Sequence, residues 1–510
     1  MTDWTAGYVA DIGYTFGYYT ELNPLRVKLA FLSAGLASPE MGTACELGFG
    51  QGMSANLHAT ASLTRWYGTD FNPSQAGFAQ EIASVSGANA RLYDDSFADF
   101  ALRSDLPEFD YIGIHGIWSW ISDENRAVIV DFIRRKLKVG GVLYISYNTQ
   151  PGWAAMVPMR DLLTEHNEVM GTTGHGIVSG IDGALNFAEK LLATNPVYAR
   201  VNPSVAERIK GIKEMNRNYL AHEYFNRDWL PMSFASMAKW LAPAKLNYAC
   251  SANYLDLLDA VNLTADQQTL LAEIPDQMFR QTVRDFMVNQ QFRKDYWVKG
   301  ARKLSILELS ETLRRQRVML VLPRAEVSLS VKGTLQATLN EQVYGAILEV
   351  LADNQPKSLG QIEQAVKDKG VTFAHITQSM LILIGKGCLA AVQQEELIAC
   401  AKKQTDKLNT FLIDKSRGSN DTSYLASPVT GGGMSVTRFQ QLFLLARSQG
   451  KDQPGEWAQF VWQILVAQSQ KILKDGKTLE TAEENLAELN EQAQSFHDKL
   501  LPIMQVLKIV

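Results

Sequence analysis

Cysteine is scarce in this chain of 510 residues, and its few cysteines stand far apart. They are Cys45, Cys250, Cys388 and Cys400. None belongs to a Cys-x-x-Cys pair, so we expect neither a zinc ribbon nor a disulfide framework, and no metal site. Thiols used so sparingly fit a reducing compartment, which predicts a cytoplasmic protein.

An excess of positive charge is also missing. The chain has 49 Lys and Arg residues against 54 Asp and Glu residues, which gives a net charge of −5. Proteins that bind nucleic acid usually present a basic field to the phosphate backbone. We therefore expect no nucleic-acid partner.

Long apolar runs are absent as well. The longest ones, such as residues 382–384, fall far short of the roughly 20 residues that span a bilayer. Asp3 and Asp11 interrupt the N-terminal segment, which lacks the charged and then apolar pattern of a secretory leader. We expect no membrane partner. The composition, 46% hydrophobic and 20% charged, is that of a globular protein with several domains.

Short apolar strands alternate with helix-length segments between residues 43 and 147. A helix is predicted before them, over residues 23–37, because an Asn-Pro pair is a typical helix start. The five expected strands are residues 43–47, 65–69, 91–93, 111–114 and 142–147. Strands separated by helices predict a parallel, doubly wound α/β sheet of the Rossmann-like kind, covered on both faces.

Three domains are expected along the chain. Residues 1–255 would form the α/β domain, with a helical insertion at about 155–230 and a strand near residue 245 returning to the sheet. Residues 256–330 would form a helical regulatory or dimerisation domain with a basic, solvated or dimer-contacting surface. Residues 331–510 would form a mostly helical, winged-helix-like domain. Its presumed recognition helix carries little positive charge, which favours protein interaction over DNA binding.

The sharpest local signal is a glycine-rich turn where the first strand meets a helix. It consists of Glu46, Gly48, Gly50 and Gly52 in an acid-x-Gly-x-Gly-x-Gly pattern. Glycines allow a tight turn and let a ligand approach the backbone closely. A dinucleotide fingerprint would need its third glycine where Met53 stands. A ligand with a carboxylate and an amine, and without a pyrophosphate, suits this pattern, with Glu46 near the ammonium.

Two further acidic positions follow the second and third strands. Asp70, which precedes Phe71, can accept both hydroxyls of a ribose or can simply cap the next turn. Asp95 can accept from an adenine amino group, with the backbone N–H of Ser96 beside it, and Asp94 is the alternative. Because the carboxyl ends of parallel strands meet at one edge of a sheet, we expect these acids to share a site.

The order of these parts resembles a class I methyltransferase that uses S-adenosylmethionine. Strings at residues 144–153, 219–226 and 284–293 are similar to bacterial methyltransferases that carry a methyltransferase regulatory domain. That group includes protein-lysine methyltransferases that act on surface proteins. Its lysine-specific members more often have Thr-His-Pro where this chain has Leu-Asn-Pro at residues 22–24, a departure that concerns the acceptor more than the cofactor.

The resemblance implies S-adenosylmethionine as the cofactor and S-adenosylhomocysteine (AdoHcy) as its product. The glycine-rich turn would cradle the methionine part, Asp70 would hold the ribose and Asp95 the adenine. Tyr14 and Tyr19, in an aromatic segment, would cover the cofactor. The full set of implied cofactor-binding residues is Glu46, Gly48, Gly50, Gly52, Asp70, Phe71, Asp95, Ser96, His115, Tyr14 and Tyr19.

Methyl transfer needs an acceptor about 3 Å from the methyl group and a site without water. A lysine acceptor must also lose a proton, since its free pKa is about 10.4. The predicted catalytic residues are Asn148, His115, Tyr147 and Trp118, with Trp120 and Trp153 as further aromatic candidates. Asn148 would orient the acceptor nitrogen, and aromatic faces would bind the amine. His115 could instead be structural, and Trp118 and Trp120 would not both face one pocket.

These observations predict an S-adenosylmethionine-dependent N-methyltransferase acting on a protein, on lysine side chains, with a homodimer as a further expectation. Two alternatives stay open. One is O-methylation of a sugar or small molecule, which the lack of an evident general base disfavours. The other is a non-catalytic methyltransferase fold that serves as an interaction protein, which the intact glycine and acid pattern disfavours.

Overall fold

A seven-stranded sheet forms the centre of the N-terminal part of the protein. The computed structural model describes residues 13–171 and 176–510. The strands of the sheet are β1 (Thr43–Leu47), β2 (Arg65–Thr69), β3 (Ala90–Tyr93), β4 (Phe109–Ile114), β5 (Leu137–Asn148), β6 (Leu246–Ser251) and β7 (Phe292–Lys299). Their order is β3-β2-β1-β4-β5-β7-β6, with β1 to β5 parallel and β7 antiparallel to both of its neighbours. The predicted doubly wound α/β architecture is confirmed.

Helices alternate with these strands and then form an insertion between β5 and β6. They are α1 (Pro24–Ser33), α2 (Met53–Ala61), α3 (Pro73–Ser86), α4 (Phe97–Leu102), α5 (Asp123–Lys136), α6 (Val157–Met170), α7 (Ile177–Ala193), α8 (Val197–Val201), α9 (Ser204–Lys213), α10 (Arg217–Tyr224), α11 (Phe234–Leu241), α12 (Ala265–Glu273) and α13 (Gln277–Met287). α1 begins where the Asn23 side chain accepts a hydrogen bond from the Leu25 N–H at 2.9 Å. The insertion has an apolar core of its own, which includes Trp153 and Leu185.

The segment expected to be entirely helical, residues 256–330, contributes a strand to the main sheet. β7 pairs with β5 from Val142 opposite Val298 to Asn148 opposite Phe292. Its residues Tyr296, Trp297 and Val298 are buried, as in a central strand. The prediction of helix here is wrong, because the charged residues around this apolar stretch indicated a solvated surface. The expected boundary at residue 255 therefore cuts through the sheet.

The remainder of the chain adds helices and small sheets. Its strands are β8 (Arg317–Leu320), β9 (Ser330–Lys332), β10 (Gln336–Thr338), β11 (Lys357–Ser358), β12 (Leu389–Val392), β13 (Tyr424–Ser427), β14 (Gly432–Ser435), β15 (Leu473–Lys474) and β16 (Lys477–Thr478). Its helices are α14 (Ile306–Arg315), α15 (Glu341–Val350), α16 (Leu359–Ala365), α17 (Phe373–Gly385), α18 (Glu395–Lys415), α19 (Arg438–Ser448), α20 (Pro454–Ala467), α21 (Ala482–Ser495) and α22 (Leu501–Val506). β8, β11 and β12 form an antiparallel sheet beside α15 to α17, as in a winged helix, although β8 precedes the expected boundary at residue 331.

The C-terminal region packs directly on the helix that follows the glycine-rich turn. The β13–β14 hairpin and α18 both contact α2. The Asn23 side chain donates to the Thr430 carbonyl at 3.0 Å, and the Gln393 side chain donates to the Ala61 carbonyl at 2.7 Å. The hairpin therefore supports the segment that leads into the α/β domain.

A side chain at Gly432 should loosen this contact. A Cβ at this position would overlap the Tyr18 hydroxyl oxygen and lie 2.7 Å from the Asn23 Nδ2. Gly432→Ala should lower the free energy of unfolding by about 1–3 kcal/mol, the usual cost of overpacking, as measured by chemical denaturation. Gly418→Ala, at an exposed position with space for a Cβ, is the matched control. Equal effects of the two substitutions would argue against a tight docking contact.

Residues 1–12, which include Asp3 and Asp11, lie outside the described residues. Within residues 13–171 and 176–510, no helix has both the length and the apolar character that a membrane crossing requires.

Candidate active site

A narrow cavity of about 190 Å³ lies at the carboxyl edge of the sheet, where β1 to β4 end. All but one of the predicted cofactor-binding residues line it: Tyr14, Tyr19, Glu46, Gly48, Gly50, Asp70, Phe71, Asp95, Ser96 and His115. These residues come from five separate segments of the chain. The parallel arrangement of the strands brings them to one place.

The glycine-rich turn lies against the cavity in a backbone conformation that favours glycine. Gly48 and Gly50 have φ values of +69° and +57°. A Cβ on Gly48 would lie 2.5 Å from the Cδ1 of Ile117, so a side chain here would clash with the cavity lining. The Gly50 N–H donates to the Asp70 Oδ2 at 2.8 Å, which ties the turn to the end of β2.

Gly52 has a different position from the other glycines of the turn. It precedes α2 with a φ of +70°, and it does not line the cavity. A Cβ on Gly52 would overlap the Cβ of Ala79 in α3. The structure therefore corrects the cofactor-binding prediction for Gly52: its missing side chain allows α2 and α3 to pack closely.

Two buried carboxyl groups face the cavity. Glu46 is 2% exposed, and its Oε2 has no hydrogen-bond partner among the described residues. Burial, with Asp70 as the second cause, raises the pKa of Glu46 to about 8. Asp70 also accepts from the Asn72 N–H at 3.1 Å, and burial raises its pKa to about 7. Buried polar atoms normally have a hydrogen-bond partner. A buried carboxylate oxygen without such a partner therefore fits the ammonium group of a ligand.

The far end of the cavity carries Asp95 and Ser96. Asp95 forms an ion pair with Arg103 at 2.9 Å, which holds its carboxylate in place. The Ser96 hydroxyl accepts from the Asp99 N–H at 3.1 Å and caps α4. Asp94, the alternative to Asp95, is exposed and does not line the cavity.

Aromatic rings cover the other end. Tyr19 stacks on His115 with 3.4 Å between the ring centroids. The His115 Nδ1 lies 2.7 Å from the Tyr144 hydroxyl, and burial lowers the pKa of His115 to about 3. His115 is therefore neutral at pH 7 and is a poor proton acceptor, so the structure places it as a stacking and hydrogen-bonding group.

A second, wider cavity of about 1020 Å³ adjoins the first one. The residues common to both are Tyr14, Tyr19, His115, Gly116 and Trp120. Asn148 at the end of β5 lines only the wider cavity, and so does Trp153. The predicted acceptor-side residue Asn148 thus lies next to the residues that cover the narrow cavity. The insertion α6–α10 supplies much of the opposite wall.

The structure contradicts two of the predicted catalytic residues. Trp118 is fully buried, and its indole N–H donates to the Met232 sulfur at 3.3 Å. Tyr147 is also fully buried, and its hydroxyl donates to Asp295 at 3.0 Å. Neither lines either of the two cavities. In β5, Tyr147 and Asn148 point to opposite faces of the sheet, and of the two only Asn148 lines the wider cavity.

Sequence reasoning missed several residues of the site. Asn125 and Asp228 line the narrow cavity, and Glu223 lines the wider one. Asn125 and Asp228 lie outside every motif, whereas Glu223 lies in the string at residues 219–226 that carries the family resemblance but has no feature that marks it as a site residue. Among residues 13–171 and 176–510, no group of three or more His, Cys, Asp or Glu side chains is arranged to hold a metal ion.

The chain is similar to several known proteins. A family model described as "Predicted methyltransferase regulatory domain" matches residues 216–299, from α10 to the end of β7. The uncharacterized protein sll1526 of Synechocystis sp. is 42% identical over 512 residues, which cover 99% of each chain. The uncharacterized protein RP028 of Rickettsia prowazekii is 31% identical over 196 residues, which cover 37% of this chain and 76% of that protein.

A solved structure shares the fold over nearly the whole chain. It is PKMT2 from Rickettsia typhi in complex with AdoHcy, with a TM-score of 0.69 and 18% sequence identity over 97% of this chain and 99% of that chain. The shared fold thus extends through the C-terminal region. With the regulatory-domain match and a full-length relative at 42% identity, the chain belongs to the class I S-adenosylmethionine-dependent methyltransferases that carry a methyltransferase regulatory domain.

Proposed function

We propose that this methyltransferase modifies lysine side chains of a protein acceptor. The observation that carries the proposal is the wide cavity beside the cofactor cavity, with Tyr14, Tyr19 and Trp120 in both walls. Aromatic faces bind an alkylammonium group and its methylated product. A cavity of about 1020 Å³ has room for a lysine side chain and part of the chain that carries it.

The residues that line the narrow cavity would bind the cofactor. S-adenosylmethionine supplies a methyl group on a sulfonium when it is bound. Glu46 would meet its ammonium, Asp70 its ribose hydroxyls and Asp95 its adenine. Tyr19 and His115 would exclude water from the point where the two cavities meet.

An amine acceptor suits the chemistry of the walls better than an alcohol does. An alcohol holds its proton far more tightly than an ammonium does, and His115, whose pKa burial lowers to about 3, is too weak a base to remove it. PKMT2 from Rickettsia typhi, with which this chain shares its fold, is described in complex with AdoHcy, which supports the same cofactor here.

Transfer of radiolabelled methyl groups from S-adenosylmethionine into host-cell lysate tests the acceptor. We expect label in proteins and, after complete digestion, in methylated lysine. Label that resists proteases and stays in glycans would replace lysine with a hydroxyl acceptor. Absence of AdoHcy binding at millimolar concentration, measured by calorimetry, would instead indicate a non-catalytic interaction protein.

Cofactor binding should depend on pH, because Glu46 and Asp70 have raised pKa values of about 8 and about 7. Both must ionise to meet an ammonium and the ribose hydroxyls. Binding of AdoHcy should therefore release protons between about pH 6 and pH 8, and its affinity should rise with pH in that window. Calorimetry in buffers of different ionisation enthalpy measures the release. Glu46→Gln should remove most of it, and an affinity independent of pH in the unmodified protein would contradict the assignment.

We also propose a homodimer that uses the middle region. Phe279 and Phe286 on α13 and Ile306 at the start of α14 are 57%, 69% and 89% exposed. Phe279 and Phe286 are about two helical turns apart, so they lie on one face of α13, and large apolar side chains grouped at a surface mark interaction sites. Sedimentation should give about twice the mass of the chain, and Phe286→Glu should shift the protein toward the monomer. A monomeric unmodified protein would exclude this interface.

A further inference from the structure

Two carboxylates line the wide cavity, and Glu223 is less exposed than Glu207. Glu223 lies near the end of α10 and lines the cavity. Within residues 13–171 and 176–510, no hydrogen bond or ion pair involves its carboxylate, and burial alone raises its pKa to about 8. The Trp120 indole N–H donates to the Glu223 backbone carbonyl at 3.3 Å. Trp120 lines both cavities, so this bond positions Glu223 beside the place where they meet.

The other charged and titratable groups of the cavity do not neutralise Glu223. They are Tyr14, Tyr19, His115, Glu207, Arg208, Tyr219, Tyr224 and Lys294. Lys294 is paired with Glu21 at 2.6 Å, and the Arg208 guanidinium stacks 3.8 Å from the Trp153 ring centroid. Burial raises the pKa of Tyr19 to about 12, so this hydroxyl stays neutral.

A second polar group in the same cavity also lacks a partner. Asn148 is 3% exposed, and its side-chain Nδ2 has no hydrogen bond to a described residue. The backbone of Asn148 is held in place, since its N–H donates to the Ser119 hydroxyl at 2.9 Å. Buried polar groups without partners are rare, so Asn148 indicates a polar ligand in this cavity, where the partly exposed Glu223 also lies.

We infer that Glu223 binds the ammonium group of the acceptor lysine and takes its proton before methyl transfer, and that the side-chain oxygen of Asn148 accepts a hydrogen bond from the same nitrogen. This inference rests on the proposed function and adds a proton acceptor to it. A carboxylate is the natural partner of an alkylammonium, and aromatic rings beside it hold the aliphatic stem.

Proton transfer precedes methyl transfer. The lysine ammonium donates to Glu223, and one proton moves from the lysine nitrogen to the carboxylate, which becomes a neutral carboxylic acid. The lone pair on the nitrogen then forms a bond to the methyl carbon, while the bond from that carbon to sulfur breaks and leaves its electron pair on sulfur. The methylated nitrogen carries the positive charge that the sulfur loses. Glu223 returns its proton to water in the wide cavity.

Binding of n-butylamine, which reproduces the end of a lysine side chain, tests the amine site without catalysis. In the AdoHcy-loaded protein at pH 9, where Glu223 is largely ionised, Glu223→Gln should weaken n-butylammonium binding about tenfold or more, as measured by calorimetry, while AdoHcy affinity stays unchanged. Asn148→Ala should weaken it by a smaller factor. Glu214→Gln, at an exposed position outside the cavity, is the control and should bind n-butylammonium like the unmodified protein.

The pH profile of methyl transfer into lysate proteins separates a proton acceptor from a structural residue. At low acceptor concentration the unmodified protein needs ionised Glu223 and a lysine ammonium, so its rate should level off above about pH 8. The Glu223→Gln variant lacks this proton acceptor, so it can methylate only the fraction of lysine that is already neutral in solution. Its rate should be about 100-fold lower at pH 7 and should keep rising toward about pH 10, where the defect shrinks.

The outcomes separate this inference from the proposed function. If Glu223→Gln binds n-butylammonium normally and its profile runs parallel to that of the unmodified protein, Glu223 is not the proton acceptor and lysine methylation stands. If the unmodified protein labels no lysine, the proposed function fails. The inference is supported if the rate defect of Glu223→Gln shrinks as the pH rises and the variant also binds n-butylammonium more weakly.

Discussion

Replacement of Arg293 by glutamine should lower the free energy of unfolding by about 3–5 kcal/mol. The Arg293 side chain is 5% exposed and forms ion pairs with Asp285 at 2.5 Å and with Asp295 at 2.8 Å. Removal of the cation leaves two buried carboxylates without their charge partner where β7 crosses the sheet. Urea denaturation followed by circular dichroism measures the loss.

This loss should be larger at high pH. Burial raises the pKa of Asp285 to about 6 even beside Arg293, and removal of the guanidinium raises it further. A carboxyl whose folded-state pKa exceeds its unfolded value of about 3.9 binds its proton more tightly in the folded protein. Stability is then lost as pH rises through the folded-state pKa, so the variant should be less stable at pH 8 than at pH 5.

Arg134→Gln is the control for this prediction. Arg134 forms a comparable ion pair with Asp131, but both side chains are about half exposed. Surface pairs contribute less than about 1 kcal/mol because water screens them. A similar loss in both variants would show that the buried ion pairs of Arg293 contribute no more to the free energy of unfolding than a surface ion pair does.

Replacement of Asp70 by asparagine should raise the dissociation constant of AdoHcy about 10- to 100-fold, which corresponds to roughly 1–3 kcal/mol. Asparagine keeps the shape of the side chain but removes its charge and one of its two acceptor oxygens. Two ribose hydroxyls and two backbone amides, those of Gly50 and Asn72, then compete for one oxygen. Calorimetry at pH 8, where Asp70 is largely ionised, measures the change.

Asp94→Asn is the matched control, since Asp94 is an acid of the same sheet edge that is exposed and lies outside the cavity. It should bind AdoHcy like the unmodified protein. An unchanged affinity in Asp70→Asn would mean that Asp70 only holds the glycine-rich turn and the turn before α3, through the amides of Gly50 and Asn72.

The wrong prediction for Tyr147 has the same origin as the wrong prediction for β7. Tyr147 is the last residue of the predicted fifth strand, whose end was expected to face the acceptor, and an aromatic ring suited an amine. Its hydroxyl instead donates to Asp295 on β7, which is also the ion-pair partner of Arg293. Without knowledge that β7 lies beside β5, no feature of residues 142–147 indicates this partner.

Local patterns along the chain were enough to predict the first five strands, the glycine-rich turn and the acids that follow β2 and β3. Each of these depends on neighbouring residues: alternation of apolar segments, glycines at positive φ and polar residues where strands end. The common edge of parallel strands then brings Glu46, Asp70 and Asp95 together without further information.

Other features depend on contacts between segments that are far apart in the chain. The place of β7 between β5 and β6, the docking of the β13–β14 hairpin on α2 and the approach of α10 to the site all have this origin. Burial and charge pairing are properties of such contacts, so the sequence pattern alone does not distinguish Trp118 from Trp120 or reveal an unpaired Glu223. The cofactor site is thus encoded locally, whereas the wall that faces the acceptor exists only once the chain has folded.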